Sequence, residues 1–376
     1  MLEKQRKNLN FAVIGGGHGG QGIAAYLAYL GHKVNLYNRT ITKVEKILEQ
    51  GFIEMEGCIS GKGYMNLVTD SIEHAISGAD VIMVAVPASA HKYIANLIAP
   101  YVAAGQYIVL NPGRTGGALE FKNIIRNINP GKNVCIVEAQ TLLFACRVVE
   151  EGKVAILSKK NEVKVAALPA IRTMEFISVI NHTIPEFVKT NSVLDTSFNN
   201  IGAILHPIPT ILNCGRIENT KGDFLYYIDG ITPTVAKIIE EVDYERMQIA
   251  DALGAEVVSL REWLGSTYGA YGNTLCEALS NVKGYWGIKA PASLDTRYIF
   301  EDVPQSLVPI ADMGQYLEIE TPTINSMIHL ASVIHNKDYY GIGRTVADMG
   351  LDGLSIDEIK SYVVSGEIYT SGGVVA

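Results

Sequence analysis

Two stretches of this 376-residue chain carry side chains able to move protons and grip carboxylates. One is NNIGAILHPIPTILNCG, from Asn199 to Gly215, an uncharged, mostly apolar run that sets His206 directly before Pro207. The other is SLDTRYIFEDVPQSLVPIADMGQYL, from Ser293 to Leu317, where Arg297, Glu301 and Asp302 crowd ahead of a proline and an apolar helical pattern. An imidazole ordinarily changes charge near neutrality, which suits a general acid and base working in both directions of one reaction. Asp302 could accept the Nδ1–H of His206 and fix its tautomer. Arg297 could hold a substrate carboxylate in a two-pronged grip. The residue types alone leave a second reading open. A charged loop before a helix is usually solvated, and a histidine beside proline is usually a hydrogen-bonded core residue.

The elements that must position these groups are helical. Leu194, Phe198, Ile201 and Leu205 fall at i, i+4, i+7 and i+11, one face of a helix between Asn191 and Leu205. Pro207 disfavours helical geometry at His206, so a break is expected there, of the kind that turns a side chain toward a cleft. Thr232 to Gly254 reads as a long amphipathic helix with Thr232 as N-cap and Gly254 as C-cap. Near the end, Ser355 followed by Glu358 forms a capping box.

The first half has a different period. FAVIGGGHGGQGIAAYLAYLGHKVNLYNRT orders a short apolar strand, a glycine cluster, a helix ending on Gly31 and a second buried strand. Gly15, Gly17 and Gly20 fit G-x-G-x-x-G in that strand–turn–helix setting, with His18 inside the loop. Gly15 permits the tight turn, Gly17 lets backbone approach a pyrophosphate, and Gly20 lets the helix pack on the strand. At the end of the second strand, where an acid would hold a ribose 2′-hydroxyl, stand Asn38 and Arg39, with Lys43 a helical turn on. A guanidinium without a carboxylate suits a 2′-phosphate, so NADP is expected over NAD. Arg39 stacking on adenine or facing solvent is the alternative. Runs at Asp80–His91, Gln106–Gly117 and Asn133–Arg147 are continuously apolar and end in turns, as strands buried on both faces of a parallel sheet do. Ligands lie outside the carboxyl ends of such strands. Val86, Pro87, Asn111, Gly113, Arg114, Glu138 and Gln140 are therefore candidates to face cofactor or substrate. KVAILSKKNEVKVAAL, Lys153 to Leu168, alternates around a polar turn and reads as an antiparallel hairpin closing the first sheet. The resulting expectation is an α/β protein, with a Rossmann-type doubly wound sheet over residues 1–188 and an all-helical domain over 189–376.

Composition bounds the rest. With 48% hydrophobic and 19% charged residues, the chain can bury two cores and is no disordered segment. A net charge of -8 without a basic stripe argues against nucleic acid. Five cysteines, at Cys58, Cys135, Cys146, Cys214 and Cys276, show no C-x-x-C pairing and read as small core hydrophobes in a reducing compartment. No metal site is suggested. MLEKQRKNLN lacks the apolar region of a secretory signal, and no apolar stretch approaches a membrane span, so a cytoplasmic location is expected. An apolar helical second half is compatible with a homodimer.

The chain resembles the opine dehydrogenases, the octopine and nopaline dehydrogenase family. The resemblance rests on the Rossmann opening, NPGRTGGALEF at Asn111–Phe121, the His206–Pro207 pair and RYIFEDVPQSLVPI at Arg297–Ile310, and it spans nearly the whole chain. It implies that His206 and Asp302 form a catalytic dyad and that Arg297 binds a substrate carboxylate. It further implies an NAD(P)H-dependent reaction joining an α-keto acid such as pyruvate to the amine of an amino acid, with hydride delivered to the imine. Some members carry asparagine four residues before the histidine, at the place of Gly202 here, while Asn199 and Asn200 precede His206 by seven and six. Either Asn200 takes that substrate-binding role or this chain handles its substrate differently, and Gln140 is a further substrate candidate. The rivals are a two-domain dehydrogenase of a 3-hydroxy acid or of glycerol or sugar phosphate, and a dinucleotide sensor without turnover.

Overall fold

The computed structural model describes residues 8–370 and 373–375, so the opening stretch Met1–Lys7 lies outside the described residues. Packing divides the chain into two units. Among the described residues, the first comprises 8–113, 117–196, 361–370 and 373–375, and the second Arg114–Gly116 with Ser197–Lys360.

An eight-stranded sheet organises the first unit. Across it run strands Phe187–Lys189, Val163–Leu168, Cys135–Ala139, Tyr107–Leu110, Val81–Val84, Asn10–Ile14, Lys33–Tyr37 and Leu67–Thr69. The apolar runs at 81–84, 107–110 and 135–139 are buried at every position, which is what cover on both faces requires. Pairing is parallel from 135–139 outward to 67–69, and Val163–Leu168 enters antiparallel. Strand 10–14 lies between 33–37 and 81–84, so the chain changes winding direction beside it. In open α/β sheets that switch is where ligands bind.

The expected hairpin at 153–168 is corrected by the structure. Lys153–Lys159 pairs with Phe144–Glu150 and Phe52–Gly57, in a second sheet of four strands that also holds Gly61–Tyr64. Val163–Leu168 joins the main sheet instead. Alternation identifies each strand but not its partner, because the three residues between them serve equally as a hairpin turn or as a crossing between sheets. The small sheet packs on helix His18–Tyr29. At Gly63 a β-carbon would stand 2.2 Å from the Ala25 carbonyl oxygen, so a side chain there would push sheet and helix apart.

In the second unit, helix Pro233–Ala252 is a central member. Thr232 caps its start by accepting the Val235 N–H, and Gly254 follows its end at φ +69°. Arg246, 1% exposed, donates to Asp243, to the Phe198 carbonyl and to the Val258 carbonyl, while Asp243 also accepts the Leu260 N–H at 2.6 Å. Buried Glu245 accepts the Thr323 and Ile324 N–H groups at the head of helix Pro322–His335. These charges are tolerable in a core because every one is hydrogen-bonded.

The stretch before His206 departs from one continuous helix. Val193–Phe198 and Gly202–Leu205 are helical and separate, although Leu194, Phe198, Ile201 and Leu205 are all buried as their spacing predicts. Asn199 interrupts the run: its Nδ2 donates to the Glu256 carbonyl and its Oδ1 accepts the Val258 N–H. Pro207 starts the next helix, Pro207–Leu212, so the helix breaks at His206 as expected, yet His206 keeps right-handed dihedrals (φ −98°, ψ −58°) where Pro207 was expected to disfavour helical geometry. Its carbonyl accepts from the Thr210 hydroxyl at 2.7 Å and the Tyr226 hydroxyl at 2.5 Å. Among the described residues no helix is long and apolar enough to cross a membrane.

Candidate active site

The glycine loop of the first unit has the shape a dinucleotide needs. Gly15 sits at φ +113°, and a β-carbon on it would stand 2.6 Å from the Ala85 carbonyl oxygen and 2.9 Å from Val86. At Gly20 a β-carbon would fall 1.7 Å from the Gly15 carbonyl oxygen, so the helix start and the turn touch backbone to backbone. Gly17 is exposed and nothing lies within 4 Å of where its β-carbon would be, leaving room for a pyrophosphate at the N-terminus of helix His18–Tyr29. His18 is fixed by the small sheet, its Nδ1 accepting the Val148 N–H at 2.9 Å.

Asn38 holds the loop shut: its Oδ1 accepts the Gly16 N–H at 3.0 Å and its Nδ2 donates to the Thr40 carbonyl at 2.7 Å. Arg39 is exposed at the end of its strand, its guanidinium 5.8 Å from the centre of the Tyr93 ring. Pro87 is exposed and Val86 half-buried at the end of strand 81–84, and Gln140 is half-buried just past strand 135–139. Glu138 departs from the expected cofactor contact. It is 1% exposed, one carboxylate oxygen accepts the Ala118 N–H at the head of helix Gly117–Ile128, and the other accepts the Thr196 hydroxyl. A strand-end position that reads as ligand-facing is here spent on a helix cap.

The second unit brings the separated polar residues together. His206 Nδ1 lies 2.9 Å from Asp302 Oδ2, across 96 residues of sequence. Burial alone would raise the Asp302 carboxyl, but the charges of Arg114 and His206 outweigh it and hold its pKa below the usual value. An ionised carboxylate only accepts, so the shared proton belongs to His206 Nδ1 and Nε2 is left as the nitrogen that gives or takes a proton. The imidazole side chain is 24% exposed while Asp302 is 1% exposed: one partner is reachable, the other sheltered.

Tyr298 stacks on the imidazole with centroids 4.4 Å apart and planes 13° apart, and behind it lie Tyr226 and Tyr227. Arg297 donates through Nε to Glu301 Oε2 at 2.6 Å, as i,i+4 neighbours on one helical face, with most of its side chain in solvent. Burial disfavours its charge, but the Glu301 hydrogen bond and the nearby carboxylates raise its pKa nonetheless. Asp302 ends this segment and a π-helical turn, Val303–Leu307, follows and presents Ser306 inward. Asn200, expected to face substrate, is 5% exposed, its Nδ2 donating to Ser306 Oγ and its Oδ1 accepting from Arg114 Nη1.

Arg114 is therefore drawn into this cluster, although its sequence neighbours pointed only to a strand-end loop. Tyr298 and Ser306 gave no signal beyond standing beside Arg297 and after Asp302. The two prolines of VPQSLVP, which strip N–H groups from successive turns, are the feature that could have marked the irregular helix.

Residues 189–335 match the family described as NAD/NADP octopine/nopaline dehydrogenase, alpha-helical domain, and residues 10–112 match the NAD binding domain of 6-phosphogluconate dehydrogenase. The chain is 40% identical over 354 residues to an opine dehydrogenase of Arthrobacter sp. (strain 1C), covering 94% of this chain and 98% of that one. Among solved structures, octopine dehydrogenase in complex with NADH and agmatine superposes with a TM-score of 0.78 at 22% identity, over 95% of this chain and 98% of that one. NADP+-bound yersinopine dehydrogenase does so with a TM-score of 0.74 at 13% identity, over 95% and 98%.

Proposed function

Since this chain belongs to the opine dehydrogenase family, we propose that the sequence divides the labour, residues 1–188 for dinucleotide and 189–376 for substrate and proton transfer, although the packed units themselves part between Thr196 and Ser197. The chain is an NAD(P)-dependent oxidoreductase that condenses an α-keto acid with the amino group of an amino acid, and it runs the reverse oxidation. Pyruvate, present in a solved octopine dehydrogenase complex, is the first keto acid to offer it.

NAD(P)H, when bound, supplies the hydride that reduces the imine carbon. His206 supplies the protons. Attack of the amine on the keto carbon gives a carbinolamine, and protonated Nε2 donates as its hydroxyl leaves as water. In the oxidative direction neutral Nε2 takes a proton from the water that re-adds to the imine. Asp302 keeps the tautomer that makes Nε2 available and offsets the imidazolium charge. Tyr298 fixes the plane of the ring by stacking. Arg297, the more exposed of the two guanidiniums, turns toward solvent and is assigned the substrate carboxylate. Asn200, whose amide is used inside the protein, positions its neighbours.

The observation that carries this reading is the 2.9 Å contact of a reachable imidazole with a buried, ionised carboxylate. Arg114 and Arg297 are both balanced by Glu301 and Asp302, so with His206 protonated the cluster offers one net positive charge, which matches a singly charged carboxylate better than a doubly charged phosphate ester.

On the first unit, Gly15, Gly17 and Gly20 form the pyrophosphate cradle, with His18, Val86 and Pro87 at its edge and Asn38 bracing it. We infer a preference for NADP, because Arg39 and Lys43 stand where a carboxylate would otherwise repel a 2′-phosphate.

The test is loss of nicotinamide absorbance with pyruvate, either cofactor and a panel of amino acids. Oxidation that requires both keto acid and amine, and proceeds at lower cofactor concentration with NADPH, is the expected result. Turnover with a keto acid or a phosphate ester alone would overturn the assignment.

A further inference from the structure

We propose that Arg114 is a positioning residue of the acid–base pair, lodged in the space that glycine leaves at position 202, where it holds Asp302 in place as an anion facing His206. This rests on the assignment of His206 and Asp302 made above.

Arg114 stands at φ +60°, a conformation uncommon for a residue with a side chain. Thr115 donates to the Ser197 carbonyl, the Gly116 N–H donates to Ser197 Oγ at 3.0 Å, and buried Arg344 donates to the Thr115 carbonyl at 2.6 Å. These bonds fix the three-residue turn Arg114–Gly116 and aim the guanidinium.

From there Nη1 lies 3.2 Å from Asp302 Oδ1 and donates at 3.2 Å to Asn200 Oδ1, while Nη2 lies 3.7 Å from Glu301 Oε1. Asn200 donates in turn to Ser306, on the turn that follows Asp302. The circuit closes on itself: Arg114 to Asp302 by charge, Asp302 to Ser306 by backbone, Ser306 to Asn200 and Asn200 to Arg114 by hydrogen bonds.

Gly202 is what makes room. A β-carbon there would stand 2.6 Å from Arg114 Nη1 and 3.2 and 3.3 Å from His206 Cε1 and Nδ1. Any side chain at 202 must displace the guanidinium, the imidazole or both.

The chemistry follows from burial. A carboxylate as sheltered as Asp302 drifts toward its neutral form unless a cation stands close. As a neutral acid it would hold His206 less firmly and no longer offset an imidazolium charge. The titratable groups around it are Arg114 from the turn, His206 from the head of helix Pro207–Leu212, Tyr226, and Arg297, Tyr298 and Glu301 from its own segment. Arg297 is engaged by Glu301 and largely exposed, and Arg114 is 12% exposed and in direct contact. The sheltering cation is Arg114.

The experiment is the pH dependence of kcat/KM for Arg114→Ala, Arg114→Gln and Arg114→Lys, with cofactor affinity and melting temperature recorded for each. For Ala and Gln the acid limb moves up by about 1–3 pH units. Below the shifted limb kcat/KM falls about tenfold for each pH unit that the limb moves, and on the plateau above it the rate changes little. Added guanidinium restores part of the loss in Arg114→Ala, Arg114→Lys keeps the acid limb near wild type, and NADPH affinity stays the same throughout. Gln keeps the hydrogen-bonding shape without the charge and serves if the alanine variant fails to fold. An unmoved acid limb, with losses that follow melting temperature alone, overturns the proposal. His206→Ala separates the two ideas. If it keeps its activity, the acid–base assignment itself fails. If it is inactive while the Arg114 variants leave the limb in place, only the positioning role fails.

Discussion

Replacing Asp302 by asparagine keeps the side-chain shape and removes only the charge. In the native chain Oδ2 accepts from His206 Nδ1 at 2.9 Å and Oδ1 faces Arg114 Nη1 at 3.2 Å, with the carboxylate 1% exposed. The amide can present its oxygen to only one of them. If it faces Arg114, its NH2 meets Nδ1, which must then accept, and the imidazole proton moves to Nε2, the nitrogen that has to be a base. General acid–base catalysis contributes about 10²–10⁴-fold, so kcat falls within that range while cofactor affinity is unchanged. Stability falls as well, because breaking a buried pair and leaving its partner uncompensated costs about 3–5 kcal/mol. The asparagine oxygen and Glu301, 3.7 Å from Arg114, recover part of that. The pH dependence has a definite sign. The folded-state pKa of Asp302 is depressed, so its stabilisation is fully present above the unfolded value of about 4 and is lost as pH falls through the folded value. Denaturant melts of wild type and Asp302→Asn should differ at pH 7 and converge toward pH 3. Turnover within about threefold of wild type, or a stability gap that widens in acid, would refute the reasoning.

Other substitutions probe other joints. Arg39→Ala should raise KM for NADPH by about 10–100-fold, the loss of one charge-assisted contact, and leave KM for NADH unmoved. Gly20→Ala places a methyl 1.7 Å from the Gly15 carbonyl oxygen, so both melting temperature and dinucleotide affinity fall; Gly17→Ala meets nothing within 4 Å and should lower affinity with the melting temperature intact. Gly202→Ala, 2.6 Å from Arg114 Nη1, should cut kcat about tenfold, and combined with Arg114→Ala should cost less than the sum of the two, as calorimetry and steady-state rates can show.

The first unit was legible because its signals are local. A glycine turn between a strand and a helix, and unbroken apolar runs such as Ile108 to Leu110, name their own conformation. The partner of Lys153–Lys159 was not legible, since sheet membership depends on residues a hundred positions away. Ahead of His206, spacing found the buried face of Leu194 to Leu205, but Asn199 cut the helix by bonding to Glu256 and Val258, contacts that no local pattern announces. His206, Asp302 and Arg297 stood out by residue type and by the resemblance of their motifs. Arg114 stood only among loop candidates, because its function depends on a turn conformation and on the empty volume at Gly202. Glu138 and Asn200 were legible as polar residues at suggestive places, and the structure spends both internally.

The most direct test of the central claim is His206→Ala assayed for amine-dependent NADPH oxidation in the presence of pyruvate, with cofactor binding followed in parallel. The contacts of the residue 206 backbone carbonyl with Thr210 and Tyr226 survive the substitution, so the turn into helix Pro207–Leu212 keeps its bonds. The expected variant is folded, binds NADPH as wild type does and loses about 10²–10⁴-fold in turnover. Turnover near the wild-type rate would contradict it.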